Sequence, residues 1–424
     1  MIFVNSVLFL IFCLTSLYFL FNEGRMIDNP FVKGKKYFAT GPQIFLIFTL
    51  ATGTFMLGEY SSTRLSVWIA YMFLGSIIAN GKIKFNLVLV CFALYVSYML
   101  VSLFFITASR GYGFRVIAKY IYPFFVLLFV NKAVNSEFVV YSGIKYIFIV
   151  AIIAQLVNIG YLPFLYGSFW GAATMADHLV IAIVIALGLY YVTSKKKFLY
   201  LILFFGAFPF IATIRTGIIA MVASLSVFFL FKYKWRAVPF ILLVAVAGGL
   251  SILYVPNIRN KMFRKDMTAD EIIENREFLT MDDIDTNGRQ AMWDWSLENF
   301  YQNNKVFGSG IGNLQYVFYE TKHPFQPIRI VHNDYVQILC DMGLVGLILF
   351  LSVSFSMIVH TFFIYNDKKN NEMIRLCAII AGSSIVGIMA TSYTDNAVNY
   401  TLATYSYPFA FYGMALGLRQ KYGR

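Results

Sequence analysis

Apolar residues in this chain come in long runs separated by short polar linkers, and the runs are of similar size. Stretches of about 17–25 apolar residues recur along it, each long enough as a helix to cross roughly 30 Å of hydrocarbon. Thirteen spans are predicted, near 2–21, 41–58, 65–80, 85–107, 116–131, 144–161, 178–194, 198–214, 216–232, 237–255, 334–364, 374–391 and 402–419. Only Ala212 to Thr216 separate the members of the pair at 198–232, which also reads as one broken element. The pattern breaks once, at residues 256 to 331, the only long polar segment. The expected fold class is all-α: a polytopic membrane protein of about 13 transmembrane helices (roughly 12–14) with one long, partly helical extracytoplasmic loop. Its expected divisions are an N-terminal transmembrane bundle over 1–255, the loop over 256–333 and C-terminal transmembrane helices over 334–424.

Composition agrees with this picture. The chain is 59% hydrophobic and 18% aromatic, which excludes an ordinary soluble domain. The first span has no positive n-region, and Phe21-Asn22-Glu23-Gly24-Arg25 offers no small-x-small cleavage site, so it is expected to be retained. Cys13, Cys91, Cys340 and Cys377 lie in or against spans without paired spacing; they read as small core residues, implying neither metal nor disulfide framework.

Charge adds orientation. Of 34 Lys and Arg, 20 lie in one alternating set of linkers together with the C-terminus, and 5 lie in the other set. The positive-inside rule then puts the N-terminus outside and the C-terminus in the cytoplasm. Arg110, Arg115 and Lys119 flank the outer 108–119 linker against that trend. They read either as a tolerated local violation or as cations that meet an anion there. The net charge of +13 is expected to face anionic lipid. No nucleic acid is expected, because there is no soluble basic domain and no recognition motif.

The polar loop is nearly neutral, with 9 Lys/Arg against 11 Asp/Glu, and a loop this long is commonly functional. Thr268-Ala269-Asp270-Glu271 is a capping-box pattern, and Arg289 to Tyr301 is helix-compatible after the Asn287-Gly288 break. Trp293 and Trp295 point to different sides of such a helix; one can pack while the other sits at the membrane interface, and sugar stacking is a second reading. Turn-forming and titratable residues crowd into Gly308 to Gly346. Gly308-Ser309-Gly310-Ile311-Gly312 resembles a phosphate cradle but lacks the Lys-Ser/Thr of a P-loop. A tight turn back onto the membrane domain and backbone amides facing an anion both remain open.

Arg215 lies between apolar stretches at the outer edge, where a permanent charge needs an anionic partner or water. A structural carboxylate or a lipid-linked phosphate would serve; the planar guanidinium fits phosphate bidentately. Arg289, on its own, is an ordinary loop arginine. His332 stands just before the span that follows the loop, as a capping residue, a general base or a phosphate ligand. His178, after Asp177, is a weaker candidate, and His323 and His360 read as incidental. No metal-ligand spacing and no Ser/His/Asp arrangement can be read.

Taken together, these pieces resemble the O-antigen ligase/polymerase superfamily, including the Wzy-type polysaccharide polymerases. The resemblance rests on the many spans, the Thr213 to Gly217 motif and Gly288-Arg289 followed by Trp293. It continues through Asn304 to Asn313, His332-Asn333-Asp334-Tyr335 and Gly343-x-x-Gly346. It implies a membrane-embedded glycosyltransferase at the outer face of the bacterial cytoplasmic (inner) membrane, using a glycan on undecaprenyl diphosphate and no cofactor or metal. Arg215, Arg289 and His332 match the arginines and histidine that form the active site in such families. Arg110 and Arg115 match less clearly and rest on the charge argument as diphosphate contacts. Gly308, Gly310, Gly312, Asn333 and Tyr335 are the further contacts it suggests.

The implied chemistry is loss of undecaprenyl diphosphate as an acceptor hydroxyl attacks. Arg215 and Arg289 would stabilise the departing charge, and His332 would act as base or as phosphate ligand. Implied partners are lipid-linked glycans, membrane lipids, a flippase and a chain-length regulator. Polymerisation of repeat units is the leading expectation, and ligation to lipid A–core shares every motif. A lipid-linked oligosaccharide flippase or transporter is the rival from another class, disfavoured because no internal repeat is evident.

Overall fold

The computed structural model describes residues 2–28, 34–52, 62–161, 172–211, 215–254, 256, 259–260, 263, 268–274, 288–402 and 404–422. The protein is mostly helical, and the described part of each apolar run lies mainly on a helix. The first ten are α1 (Ile2–Phe21), α2 (Gly41–Thr52), α3 (Ser62–Ile78), α4 (Leu87–Phe105), α5 (Arg110–Ala133), α6 (Glu137–Tyr161), α7 (Ala172–Thr193), α8 (Lys197–Ile211), α9 (Arg215–Tyr233) and α10 (Val238–Tyr254). The loop carries α11 (Ala269–Glu274), α12 (Arg289–Ser296) and α13 (Asn313–Glu320). The chain then continues through α14 (Asp334–Asn366), α15 (Glu372–Thr394) and α16 (Ser406–Tyr422).

Among the described residues, five helical stretches are long and apolar enough to cross a membrane: Leu87–Phe105, Arg110–Ala133, Arg215–Leu250, Asp334–Asn366 and Glu372–Thr394. Shorter apolar helices accompany them. Within the third stretch, Lys234 at φ 53° opens a 3-10 turn and separates α9 from α10. The 198–232 pair is two helices, α8 and α9. Two features differ from expectation. The first linker carries a small antiparallel hairpin, β1 (Arg25–Asp28) with β2 (Lys36–Ala39). And α5 begins at Arg110, so Arg110, Arg115 and Lys119 ride on its first turns and do not lie in a linker.

α15 is the centre of the bundle. It packs against α7, α9, α14 and α16, and nearly every side chain from Met373 to Ile385 is buried. Small residues let it do so, since in lipid close van der Waals packing must replace the hydrophobic drive between helices. A Cβ on Gly387 would fall 2.0 Å from Ser224 Oγ and 2.9 Å from the Ala220 carbonyl, so α9 and α15 touch backbone to backbone.

The linkers sort into two connected ends. At one, Tyr37 Oη donates to Asn135 Oδ1 (3.0 Å), Asn371 Nδ2 to Glu137 Oε1 (2.8 Å) and Gln420 Nε2 to Asn131 Oδ1 (2.8 Å). At the other, Thr107 Oγ1 donates to the Ile311 carbonyl (3.1 Å) and the Ala108 amide to Asn313 Oδ1 (3.2 Å). Residues 332–334 and 394–399 join this second end. The linkers these bonds join at each end belong to one and the same set of the Lys/Arg alternation.

Candidate active site

The second end is built on a loop with a small core of its own. Met292, Trp293, Leu314, Phe318, Val331, Val336 and Cys340 bury one another and tie α12 and α13 to the start of α14. Trp293 Nε1 donates to the Val331 carbonyl (2.8 Å), and its ring lies 5.8 Å from that of Tyr393 on α15. Trp295 packs against Phe300, Phe318 and Phe325. Both tryptophans therefore pack, where one was expected at the membrane interface. This core fixes Val331, and with it the neighbouring histidine.

His332 is held from its other side by α14. The Asn333 side chain caps that helix by accepting the Val336 amide (3.1 Å). Asp334, fully buried, accepts Asn396 Nδ2 (3.0 Å) and the Val398 amide (3.1 Å), which binds the turn after α15 to the start of α14. Between these restraints His332 adopts φ 53°, in the left-handed region that a non-glycine residue occupies only when its surroundings impose it. Its Nδ1 lies 3.0 Å from Asp395 Oδ1.

Asp395 is 8% exposed. Burial pushes its carboxyl up, but the hydrogen bond and charge of His332, the Asn396 amide and the charge of Arg289 pull harder the other way. The net position is below the usual carboxylate range. An ionised carboxylate can only accept, so Nδ1–H of His332 is the donor, and in the tautomer this favours the lone pair of an unprotonated ring sits on Nε2. Hydrogen bonds to charged groups contribute about 1.5–3 kcal/mol, enough to hold this tautomer.

Arg289 opens α12, after Gly288 at φ 74°, and its Nη1 donates to the Thr394 carbonyl at the end of α15. A cation is favoured at that helix terminus. Arg215 arrives by packing. α9 and α15 are antiparallel, with Gly382 against Phe231 and Gly387 against Ala220 and Ser224. Counting seven residues on from Gly387 reaches Thr394, and counting seven back from the middle of the Ala220–Ser224 contact reaches Arg215. At about 1.5 Å per residue in both helices, the first residue of α9 stands level with the last of α15. Arg289, His332 and Asp395 thus meet at the end of α15, and Arg215 opens α9 at the same level of the bundle.

The other sequence candidates are placed differently. Every amide of the glycine turn is taken up by protein. Gly308 donates to the Asn304 carbonyl, Ser309 to that of Cys340 and Gly310 to that of Asp341. Ile311 donates to Ser102 Oγ, while Gly312 and Leu314 donate to the two oxygens of Asp341, each at 2.9 Å. No N–H of this turn is left to face an anion, so Gly308, Gly310 and Gly312 form the tight turn of the two readings. Asn333 is engaged as a cap, and Tyr335 Oη donates to the Met389 carbonyl on α15 (2.7 Å). Arg115 lies over the Tyr112 ring at 4.7 Å, and Arg110 is exposed at the start of α5. Among the three α5 cations, Lys119 is the one with a described contact to the turn after α15, at Asn399 Oδ1. Thr213 and Ile214 of the Thr213–Gly217 motif, residues 275–287 of the long loop and the side chains of Asp177 and His178 lie outside the described residues.

Asp395 was not singled out from sequence, being 63 residues from His332 in a short linker that carries no Lys or Arg. The signal available was an acid at the mouth of a span, where a charge requires a partner.

No curated protein matches this chain. Residues 199–351 match a family model described as Wzy_C, O-Antigen ligase, a segment running from α8 through Arg215, Arg289 and His332 into α14 and stopping short of Asp395. That match, over a bundle with five helical stretches able to cross a membrane, supports placing the chain in the O-antigen ligase/polymerase superfamily.

Proposed function

We propose that this protein is a glycosyltransferase that takes its donor glycan from undecaprenyl diphosphate and that the Arg215–Arg289–His332–Asp395 corner is its active site. The observation carrying this reading is the His332–Asp395 pair beside Arg289 at the end of α15, with Nδ1 and Oδ1 3.0 Å apart, the hydrogen-bond reach of a base and the group that orients it. The acceptor hydroxyl gives its proton to His332 Nε2 as its oxygen bonds to the anomeric carbon. The bond from that carbon to the phosphate oxygen breaks, and undecaprenyl diphosphate leaves with the electron pair. Arg289 and Arg215 offer fork-shaped cations to the leaving diphosphate, and a partly water-excluded setting strengthens them. Asp395 balances one positive charge and keeps Nδ1 occupied, so the net field at the corner still favours an anion.

The acceptor in this reading is a second lipid-linked repeat, making the enzyme a polymerase at the outer face of a bacterial cytoplasmic membrane. The description of the matched family favours a second reading, in which the finished glycan is moved to lipid A–core. Purified protein incubated with an undecaprenyl-diphosphate-linked repeat alone separates them. A ladder of longer lipid-linked glycans is expected. Product formed only after lipid A–core is added would make the protein a ligase, and no product in either case would refute both.

A further inference from the structure

The end of the bundle opposite His332 contains a cavity that the reaction does not use. It encloses about 360 Å³ where the ends of four helices meet, around Lys84, Asn131, His360 and Arg419. Lys84 precedes α4, Asn131 is in the last turn of α5, His360 is near the end of α14 and Arg419 is in the last turn of α16.

Its lining holds two cations, three amide side chains and a histidine, with Leu416 and, among the described residues, no carboxylate. Asn131 is 2% exposed; its Oδ1 accepts from Gln420 Nε2 (2.8 Å), while its Nδ2 has no hydrogen-bond partner among the described residues. A buried amide donor left unmatched costs about 1–3 kcal/mol and is rare without an explanation. His360 Nδ1 meets Tyr412 Oη beside the cavity. Lys84 and Arg419 are the two cations. Arg419 also pairs with Asp367 at 3.4 Å, and that acid does not line the cavity.

An apolar rail leads away from it. Phe85 is 84% and Leu87 67% exposed, and Leu87, Val90, Leu94 and Val101 follow at helical spacing along the outer face of α4. A soluble anion would use the donors alone, whereas a phospholipid would use both the donors and the rail.

We propose that this cavity holds the phosphate of an anionic phospholipid from the leaflet opposite the active site, with an acyl chain lying along α4. Basic pockets between transmembrane helices are suited to such head groups, and each surface cation contributes attraction that amounts to about fivefold in affinity.

The test uses full-length protein in a neutral detergent, with lipid binding followed by native mass spectrometry and thermal shift. Phosphatidylglycerol should bind and raise the melting temperature; phosphatidylcholine should do neither. Lys84→Gln, at an exposed position where folding is not at stake, should weaken phosphatidylglycerol binding about fivefold. Asn131→Leu should weaken it further, while Lys82→Gln, on a neighbouring exposed lysine outside the cavity, should leave it unchanged. Equal effects of the two lipids would overturn the proposal. So would undiminished binding in Lys84→Gln, or an equal loss in Lys82→Gln, which would indicate general charge attraction. Inorganic phosphate alone reproducing the full shift would assign the site to a soluble anion and remove the lipid.

Discussion

The glycine turn at 308–312 and the His332–Asp395 corner both rest on the first half of α14, yet they use their polar groups in opposite ways. In the turn, each amide has a protein acceptor and Asp341 is sealed beneath it, 1% exposed, with both oxygens occupied. The clamp extends along the kink of α14, where Gly343 at φ 65° lets Leu344 and Val345 donate to the Lys305 and Val306 carbonyls. At the corner, His332 keeps a ring nitrogen outside its pair with Asp395, and its side chain is 29% exposed. The difference teaches that a polar residue beside the membrane is diagnostic only once its partners are counted. A satisfied network specifies the fold, and a network with donors and lone pairs to spare can meet a substrate.

The largest effect is expected where the clamp admits no relaxation. A Cβ on Gly343 would lie 2.4 Å from the Val306 carbonyl oxygen at a backbone angle that disfavours it. Gly343→Ala should cost at least about 4 kcal/mol and leave little monodisperse protein on gel filtration. Normal yield and melting temperature would show that the clamp is not structural.

At the corner the effects should fall on rate and leave the fold intact. Arg215→Lys keeps the charge but replaces a bidentate fork by a point donor, and should lower glycan transfer several hundredfold at unchanged melting temperature. Transfer at the normal rate would remove Arg215 from diphosphate recognition.

The contrast also explains what could be read from the sequence. Long apolar runs must become helices in lipid, so the helices were legible, and Arg289 and His332 stood out beside a recognisable order of motifs. The glycine run left two readings, because whether an amide is free depends on Ser102 and Asp341, which lie in other spans. Asp395 and Asp334 were missed for the same reason. Their roles come from contacts made by α15 folding beside α14; an acid at the mouth of a span says that a partner is needed but not which one. The α5 cations were misplaced by a linker boundary set a few residues too late.

A smaller effect should appear in stability against pH. Because the Asp395 carboxyl is depressed in the folded protein, its ionisation stabilises the fold at pH above the unfolded value of about 3.9. That contribution is lost as pH falls through the lower folded value. Wild-type protein should therefore keep a melting-temperature advantage over Asp395→Asn down to about pH 4 and lose it below. An advantage already gone at pH 6 would contradict the ionised pair.

The most direct measurement is the rate of glycan transfer from undecaprenyl diphosphate by His332→Ala, Asp395→Asn and the double variant, each purified and shown to be folded. His332→Ala should lose about a thousandfold and Asp395→Asn about a hundredfold, and the double variant should be no slower than His332→Ala, as expected of two groups acting as one unit. Losses that multiply in the double variant, or an Asp395→Asn enzyme as fast as wild type, would contradict an active site in which Asp395 sets His332.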